Sequence, residues 1–178
     1  MIVTERLILR AWREEDVAPF HAMGQDAEVM RYLGPPTTRA SARAMMREEN
    51  ETARTFGRCL WAVERQKDGA FIGFCGVEPG PIGSPIAGLP EIGWRLARAA
   101  WGQGLASEAA RAVLAAEWER QTDAVFATTV PANRRGWGLM ERLGMTRVEG
   151  GDFDHPDLAP DSPLRRHILY RIDRPLNG

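Results

Sequence analysis

The chain has 178 residues, 44% hydrophobic and 26% charged, enough for a buried core and consistent with one domain spanning 1–178. Its formal net charge of −1 leaves no electrostatic footprint for nucleic acid or an anionic membrane. No apolar run is long enough to span a bilayer, and the opening Met1-Ile-Val-Thr-Glu-Arg6 lacks the basic-then-apolar pattern of a signal peptide.

Arg6–Arg10 alternates like a short strand. Glu14-Glu15-Asp16 then places acid at a helix start, and the apolar positions continue through Val17, Phe20 and Met23. Asp26 suits the cap of a second short helix, stopped by Gly34-Pro35-Pro36. Thr38–Phe56 has a helical composition and ends at Gly57. Cys59–Glu64 and Ala70–Val77 read as strands joined by a hairpin turn at Lys67-Asp68-Gly69. Cys59 and Cys75 lie in these apolar stretches, where small buried hydrophobes are expected, and their spacing fits neither a disulfide framework nor a zinc site. A soluble, reducing, cytoplasmic setting without a metal follows as an expectation.

Pro79–Leu89 carries four Gly or Pro residues in its first five and reads as an irregular loop. Beyond it come a strand over Glu91–Leu96 and an amphipathic helix over Leu105–Gln121. A strand over Asp123–Val130, a helix over Asn133–Leu143 and a strand over Met145–Glu149 follow. A Pro/Asp loop, Gly150–Pro163, leads to a last strand, Arg166–Ile172. This order predicts an α+β fold: a mixed, mostly antiparallel twisted sheet of about seven strands covered by helices, with a crossover near Leu105.

The stretch Trp101-Gly-Gln-Gly-Leu-Ala-Ser-Glu108 feeds a strand directly into a helix. Glycines at 102 and 104 let the backbone approach a ligand, and the first-turn N–H groups of the helix point outwards, which suits a phosphate or pyrophosphate. Ser107 adds a cap or a hydroxyl donor. No Gly-Lys-Ser/Thr follows, so this is not a nucleoside-triphosphate loop of that type. A dinucleotide fingerprint would match Gly102 and Gly104, but the third glycine is Ser107, and Asp123 precedes its strand instead of ending it. A plain tight turn into a helix is the remaining alternative.

Taken together, Glu91-Ile-Gly-Trp-Arg-Leu96 and the glycine turn resemble the acetyl-CoA-binding motif of GNAT acetyltransferases. Thr4–Arg10 and Asn133-Arg-Arg-Gly-Trp-Gly-Leu-Met-Glu-Arg-Leu-Gly-Met145 bring the likeness closer to the ribosomal-protein N-terminal acetyltransferase branch. The resemblance implies helices on both sheet faces and a splayed strand pair that admits the pantetheine arm. It implies that the backbone of Trp94–Leu96 meets pantetheine and the thioester. Gly102, Gln103, Gly104, Leu105, Ala106 and Ser107 would take the pyrophosphate, and Asn133 would contact the cofactor or simply cap its helix. Arg98, Arg134 and Arg142 are candidates for the 3′-phosphate, against the alternative of solvated surface arginines.

An alkyl amine has a pKa near ~10, so acetyl transfer needs a proton acceptor and an oxyanion donor. Glu91 is the candidate base; the histone-type relatives carry a catalytic Glu on this strand, at a spacing one residue longer than here. Met140 stands where many relatives carry the Tyr that protonates the thiolate, leaving Tyr170, water or unaided departure. His155 reads either as a proton relay or acceptor-carboxylate ligand or as a hydrogen-bonded structural ring, while His167 and His21 read as structural. The implied activity is acetyl transfer from acetyl-CoA to a primary amine, either a small molecule or a protein N-terminus. The alternative is an acyl-CoA-binding sensor without catalysis. Six tryptophans must be shared among core, cofactor cleft and a possible homodimer interface, and the sequence alone does not divide them.

Overall fold

A computed structural model describes residues 1–175; the last three positions of the expected 1–178 domain lie outside the described residues. By internal contacts the chain falls into two compact units, Met1–Val77 with Gly93–Val113, and Glu78–Ile92 with Leu114 onward.

In the first unit β1 (Ile2–Val3) pairs antiparallel with β2 (Leu7–Arg10), and β2 with β3 (Leu60–Arg65), Leu7 lying opposite Arg65. The next neighbour, β4 (Ala70–Pro79), is reached by the expected tight turn, with Gly69 at φ +66°. The register slips between Val63 and Glu64, where β4 carries an extra residue beside Gly73. β5 (Pro90–Leu96) follows β4 in the sheet order. Gly73 has φ +143°, and a Cβ there would lie 2.1 Å from the Arg95 carbonyl oxygen.

At Gly76 a Cβ would lie 1.8 Å from the Cys59 carbonyl oxygen, closer than any side chain allows. Backbone cannot yield cheaply in a packed sheet. Gly76→Ala is therefore expected to lower unfolding free energy by about 3 kcal/mol, read as a lower urea midpoint with an unchanged m-value.

Helices α1 (Val17–Met23), α2 (Ala27–Met30) and α3 (Arg39–Phe56) supply the apolar side of this unit. Thr38 caps α3 by accepting from the Ser41 N–H, and Gly57 ends it at φ +68°. The core joins Trp12, Phe20, Met23, Met46, Ala62 and Phe74. Trp12 sits 5.1 Å from the Phe20 ring, and its indole N–H donates to the Leu60 carbonyl at 2.7 Å. Arg10, Asp16 and Glu64 form an ion network beside it. The Arg10 fork reaches Asp16 at 2.7 and 2.9 Å, and Arg10 Nε reaches Glu64 at 2.6 Å. Cys59 and Cys75 are free thiols with no exposed surface, as expected of small core residues, and burial pushes both thiol pKa values up.

In the second unit β5 runs parallel to β6 (Ala124–Thr129), Glu91 opposite Phe126. The connection carries α4 (Leu105–Glu119), the crossover a parallel pair requires. β6 pairs antiparallel with β9 (Arg166–Asp173), which also takes β7 (Thr146–Arg147) and β8 (Phe153–Asp154). α5 (Arg134–Arg142) lies between β6 and β7 in the chain.

The fold is α+β with a mixed, mostly antiparallel sheet. Among the described residues it has nine strands rather than about seven. The two additions, β1 and β8, are two residues each, too short for alternation to register.

Candidate active site

In the first unit, Gly102 and Gly104 both lie in the left-handed region, at φ +73° and +76°. Space is not the reason: a Cβ at 102 would meet nothing within 4 Å, and one at 104 only Arg6 Nη2 at 3.6 Å. The requirement is backbone conformation. The Glu108 N–H bonds the Gly104 carbonyl at 3.0 Å, so the N–H groups of Leu105, Ala106 and Ser107 precede the first helical bond. Residues 102–104 are exposed, while the Leu105 side chain is buried and anchors α4. Ser107 lies within the first turn of α4, not at its cap.

Several bonds hold this turn in place. Trp101 Nε1 donates to the Leu96 carbonyl at 2.8 Å, and Gln103 Nε2 to the Ala99 carbonyl at 2.7 Å. From the bend between β1 and β2, Arg6 Nη1 donates to the Gln103 carbonyl at 3.0 Å. Arg6 Nε reaches Glu108 at 2.6 Å, and the Thr4 hydroxyl donates to the same carboxylate at 2.6 Å. Burial pushes the Glu108 carboxyl up, but bonds from Thr4 and Arg6 outweigh it and hold the group below the usual range. The charge also favours the helix N-terminus. Neither the Arg6–Glu108 brace nor the Trp101 bond is legible in the sequence, because the first crosses about a hundred residues and the second depends on the Trp101 rotamer.

On β5, Trp94 is half-buried and Leu96 buried. The Leu96 carbonyl already accepts from Trp101, and Ala97 N–H donates to the Ile72 carbonyl at 2.8 Å. Arg98 is exposed on a short 3-10 turn. Arg95, not singled out from the sequence, places its guanidinium 5.3 Å from the Phe74 ring centre. Its Nε is buried and meets no acceptor among the described residues.

In the second unit, Glu91 is half-buried, and the Thr128 hydroxyl donates to its Oε1 at 2.6 Å. Burial raises the carboxyl above its ordinary value, with Thr128 partly opposing. Ala127 stands opposite Tyr170 and Thr128 opposite Leu169. Opposed residues share a face, so Tyr170 leaves the sheet on the side away from Thr128 and its bonded Glu91. The Tyr170 hydroxyl donates instead to Glu141 at 3.2 Å, and burial followed by that carboxylate raises its pKa. The structure therefore does not bring Tyr170 to the face of Glu91. Met140, in the place of the usual acid, is 2% exposed.

Asn133 is the N-cap of α5. Its Oδ1 accepts from the Gly136 N–H at 3.1 Å, and its Nδ2 donates to the Thr129 hydroxyl at 2.9 Å. A Cβ at Gly136 would lie 2.6 Å from that Nδ2, which accounts for glycine inside the helix. Arg134 and Arg142 are exposed. His155 and His167 approach to 4.9 Å between ring centres, with Phe153 beside both. Burial and then the neighbouring His155 lower the His167 pKa, consistent with a structural ring. Among the described residues no group of three or more His, Cys, Asp or Glu could hold a metal, and no helix is long and apolar enough to cross a membrane.

Comparison with known proteins adds the family. The family described as Acetyltransferase (GNAT) domain matches residues 6–146. The uncharacterised protein YkkB of Bacillus subtilis is 33% identical over 146 residues, 81% of this chain and 84% of its own. A GNAT-family acetyltransferase structure from Bacillus anthracis superposes with a TM-score of 0.79 at 23% identity, covering 97% of this chain and 98% of its own. The structure of RimL, a ribosomal L7/L12 alpha-N-protein acetyltransferase in complex with coenzyme A, gives a TM-score of 0.75 at 14% identity, covering 96% of each chain. At those identities the two structures speak for the fold.

Proposed function

This chain belongs to the GNAT acetyltransferase family, and from that premise we propose that it transfers acetyl from acetyl-CoA to a primary amine, a small molecule or a protein N-terminus. The observation that carries the cofactor half is the turn: two glycines at positive φ set free N–H groups ahead of the first bond of α4. Such a terminus is a pyrophosphate cradle without further equipment. Pantetheine lies along the backbone of Trp94–Leu96, which is the uncharged part of the molecule. Trp101 fixes the end of that segment through the Leu96 carbonyl. RimL, with coenzyme A bound in the same fold, supports a CoA site and a protein N-terminus as one acceptor class.

The reaction is direct attack. The amine nitrogen forms the new C–N bond, the C–S bond breaks, and the ammonium proton passes to Glu91 directly or through water. Burial brings Glu91 closer to the pH at which a carboxylate both accepts and releases protons. A backbone N–H of β5 stabilises the oxyanion. The thiolate leaves without an acid on the protein, since Met140 has no proton to give and Tyr170 is held by Glu141.

The same two observations favour a second reading, a CoA-binding sensor that does not turn over. Acetyl-CoA at about 100 times its dissociation constant should stabilise the fold by about 2.7 kcal/mol, roughly 5–10 °C in Tm for a domain this size. No shift would sink both readings. Thiol release with a panel of primary amines separates them: release above background supports the transferase, and a Tm shift without release supports the sensor.

A further inference from the structure

A cation with buried guanidinium atoms normally has an acid beside it, and Arg95 has none among the described residues. Among the described residues no carboxylate pairs with its guanidinium, and its Nε is fully buried without an acceptor. The residue as a whole is only half-buried, so the part that keeps access lies beyond Nε, at the two Nη atoms. Among the described residues its partner is the Phe74 ring, 5.3 Å from the guanidinium carbon, in the same cluster as Trp12 and Phe20. A ring stack returns less than burial of an unpaired charge costs. Burial lowers the Arg95 pKa and no neighbouring acid opposes it. The contrast with Arg10 is direct, since that guanidinium has Asp16 and Glu64 within 2.9 Å.

We infer that Arg95 is the anion receptor of the acceptor site, and that the amine accepted carries a carboxylate, as amino acids do. The inference rests on the transferase reading above. In that reading the stretch of acetyl-CoA along Trp94–Leu96 is pantetheine and acetyl, which are neutral, and the phosphates lie at the glycine turn. The missing anion at Arg95 must then come from the second substrate. A planar fork with free Nη atoms matches a carboxylate in two parallel hydrogen bonds. A single guanidinium balances one negative charge, which favours a carboxylate over a doubly charged phosphate monoester. Phe74 packs on the buried rings of Trp12 and Phe20, so the guanidinium lies against an apolar core, which strengthens the pairing.

The test compares L-phenylalanine and L-methionine with their amides, in thiol release and in calorimetric titration with CoA present. The wild-type chain should prefer the acids by about 10- to 100-fold in kcat/KM, and in Arg95→Met that ratio should collapse toward one through the acceptor KM. Arg95→Lys should recover part of the ratio. Arg95→Met should also melt no lower than the wild type, because a purely structural arginine would leave a destabilised chain behind. A wild-type chain that takes amides as readily as acids overturns the inference, and so does one that binds and acetylates neither, whatever the variants do. Release with neutral amines and no acid preference leaves the transferase standing and removes only the role of Arg95. Acid binding that depends on Arg95 without release keeps the receptor and removes the transferase.

Discussion

Replacing Glu91 by Gln lowers turnover by about 10²- to 10⁴-fold, the range expected for loss of a general base. The substitution is nearly isosteric, and the Gln Oε1 can still accept from the Thr128 hydroxyl, so the local fold is kept. The loss therefore falls on kcat, while acetyl-CoA still raises Tm. Burial lifts the Glu91 pKa in the folded chain above its unfolded value of about 4.5. In the wild type, kcat/KM then has an acidic limb above the ordinary carboxylate range, and Glu91→Gln removes that limb. Stability follows the opposite slope. With the folded pKa raised, the folded state binds the extra proton between the two values, so this contribution is present below about 4.5 and lost as pH rises through the folded pKa. Glu91→Gln should abolish that decline. A variant with full turnover and an unchanged acidic limb would remove Glu91 as base.

Replacing Asp16 by Ala costs about 3–5 kcal/mol of unfolding free energy, because it strands a buried guanidinium. The side chains of Arg10 and Asp16 are 7% and 3% exposed, and their two-point contact is short. Asp16 also accepts from the Arg13 N–H at 2.8 Å, so the same carboxylate shapes the entry to α1. Glu64 remains beside Arg10 Nε in the variant and the Ala11 carbonyl beside Nη1, but Nη2 loses its acceptor and the fork its carboxylate. A Tm drop of about 10 °C is expected for a domain this size. The double variant Arg10→Met with Asp16→Leu should cost less than Asp16→Ala alone, since no charge is then buried. A loss under about 1 kcal/mol in Asp16→Ala would show the pair to be no more than a surface bridge.

Local chemistry made most of the architecture legible. Gly57, Gly69, Gly102 and Gly104 each mark a place where the chain turns at positive φ, and Asp26 and Asn133 each cap the helix expected there. Those signals are written within four residues of where they act. What escaped was set by distance along the chain. Arg95 reads as an ordinary strand residue until Phe74 is found over it and no acid is found beside it. Glu108 closes the glycine stretch in the sequence, yet its partners Thr4 and Arg6 are about a hundred residues away. Tyr170 is one of the alternatives left by Met140 as proton donor, and only the Ala127 register shows that it faces Glu141 instead. The face of a strand residue depends on a neighbour's register, which a single alternating pattern does not specify.

The buried cysteines bear on how this chemistry can be watched. Because Cys59 and Cys75 have no exposed surface and burial holds both thiols protonated, the folded chain offers no thiolate to an aromatic disulfide reagent. Colour developed in a native assay then belongs to free coenzyme. Under denaturant each chain instead contributes two sulfhydryls, and their rate of appearance reports how often the strands around them part. One reagent thus serves as a product counter in buffer and as an opening clock in urea.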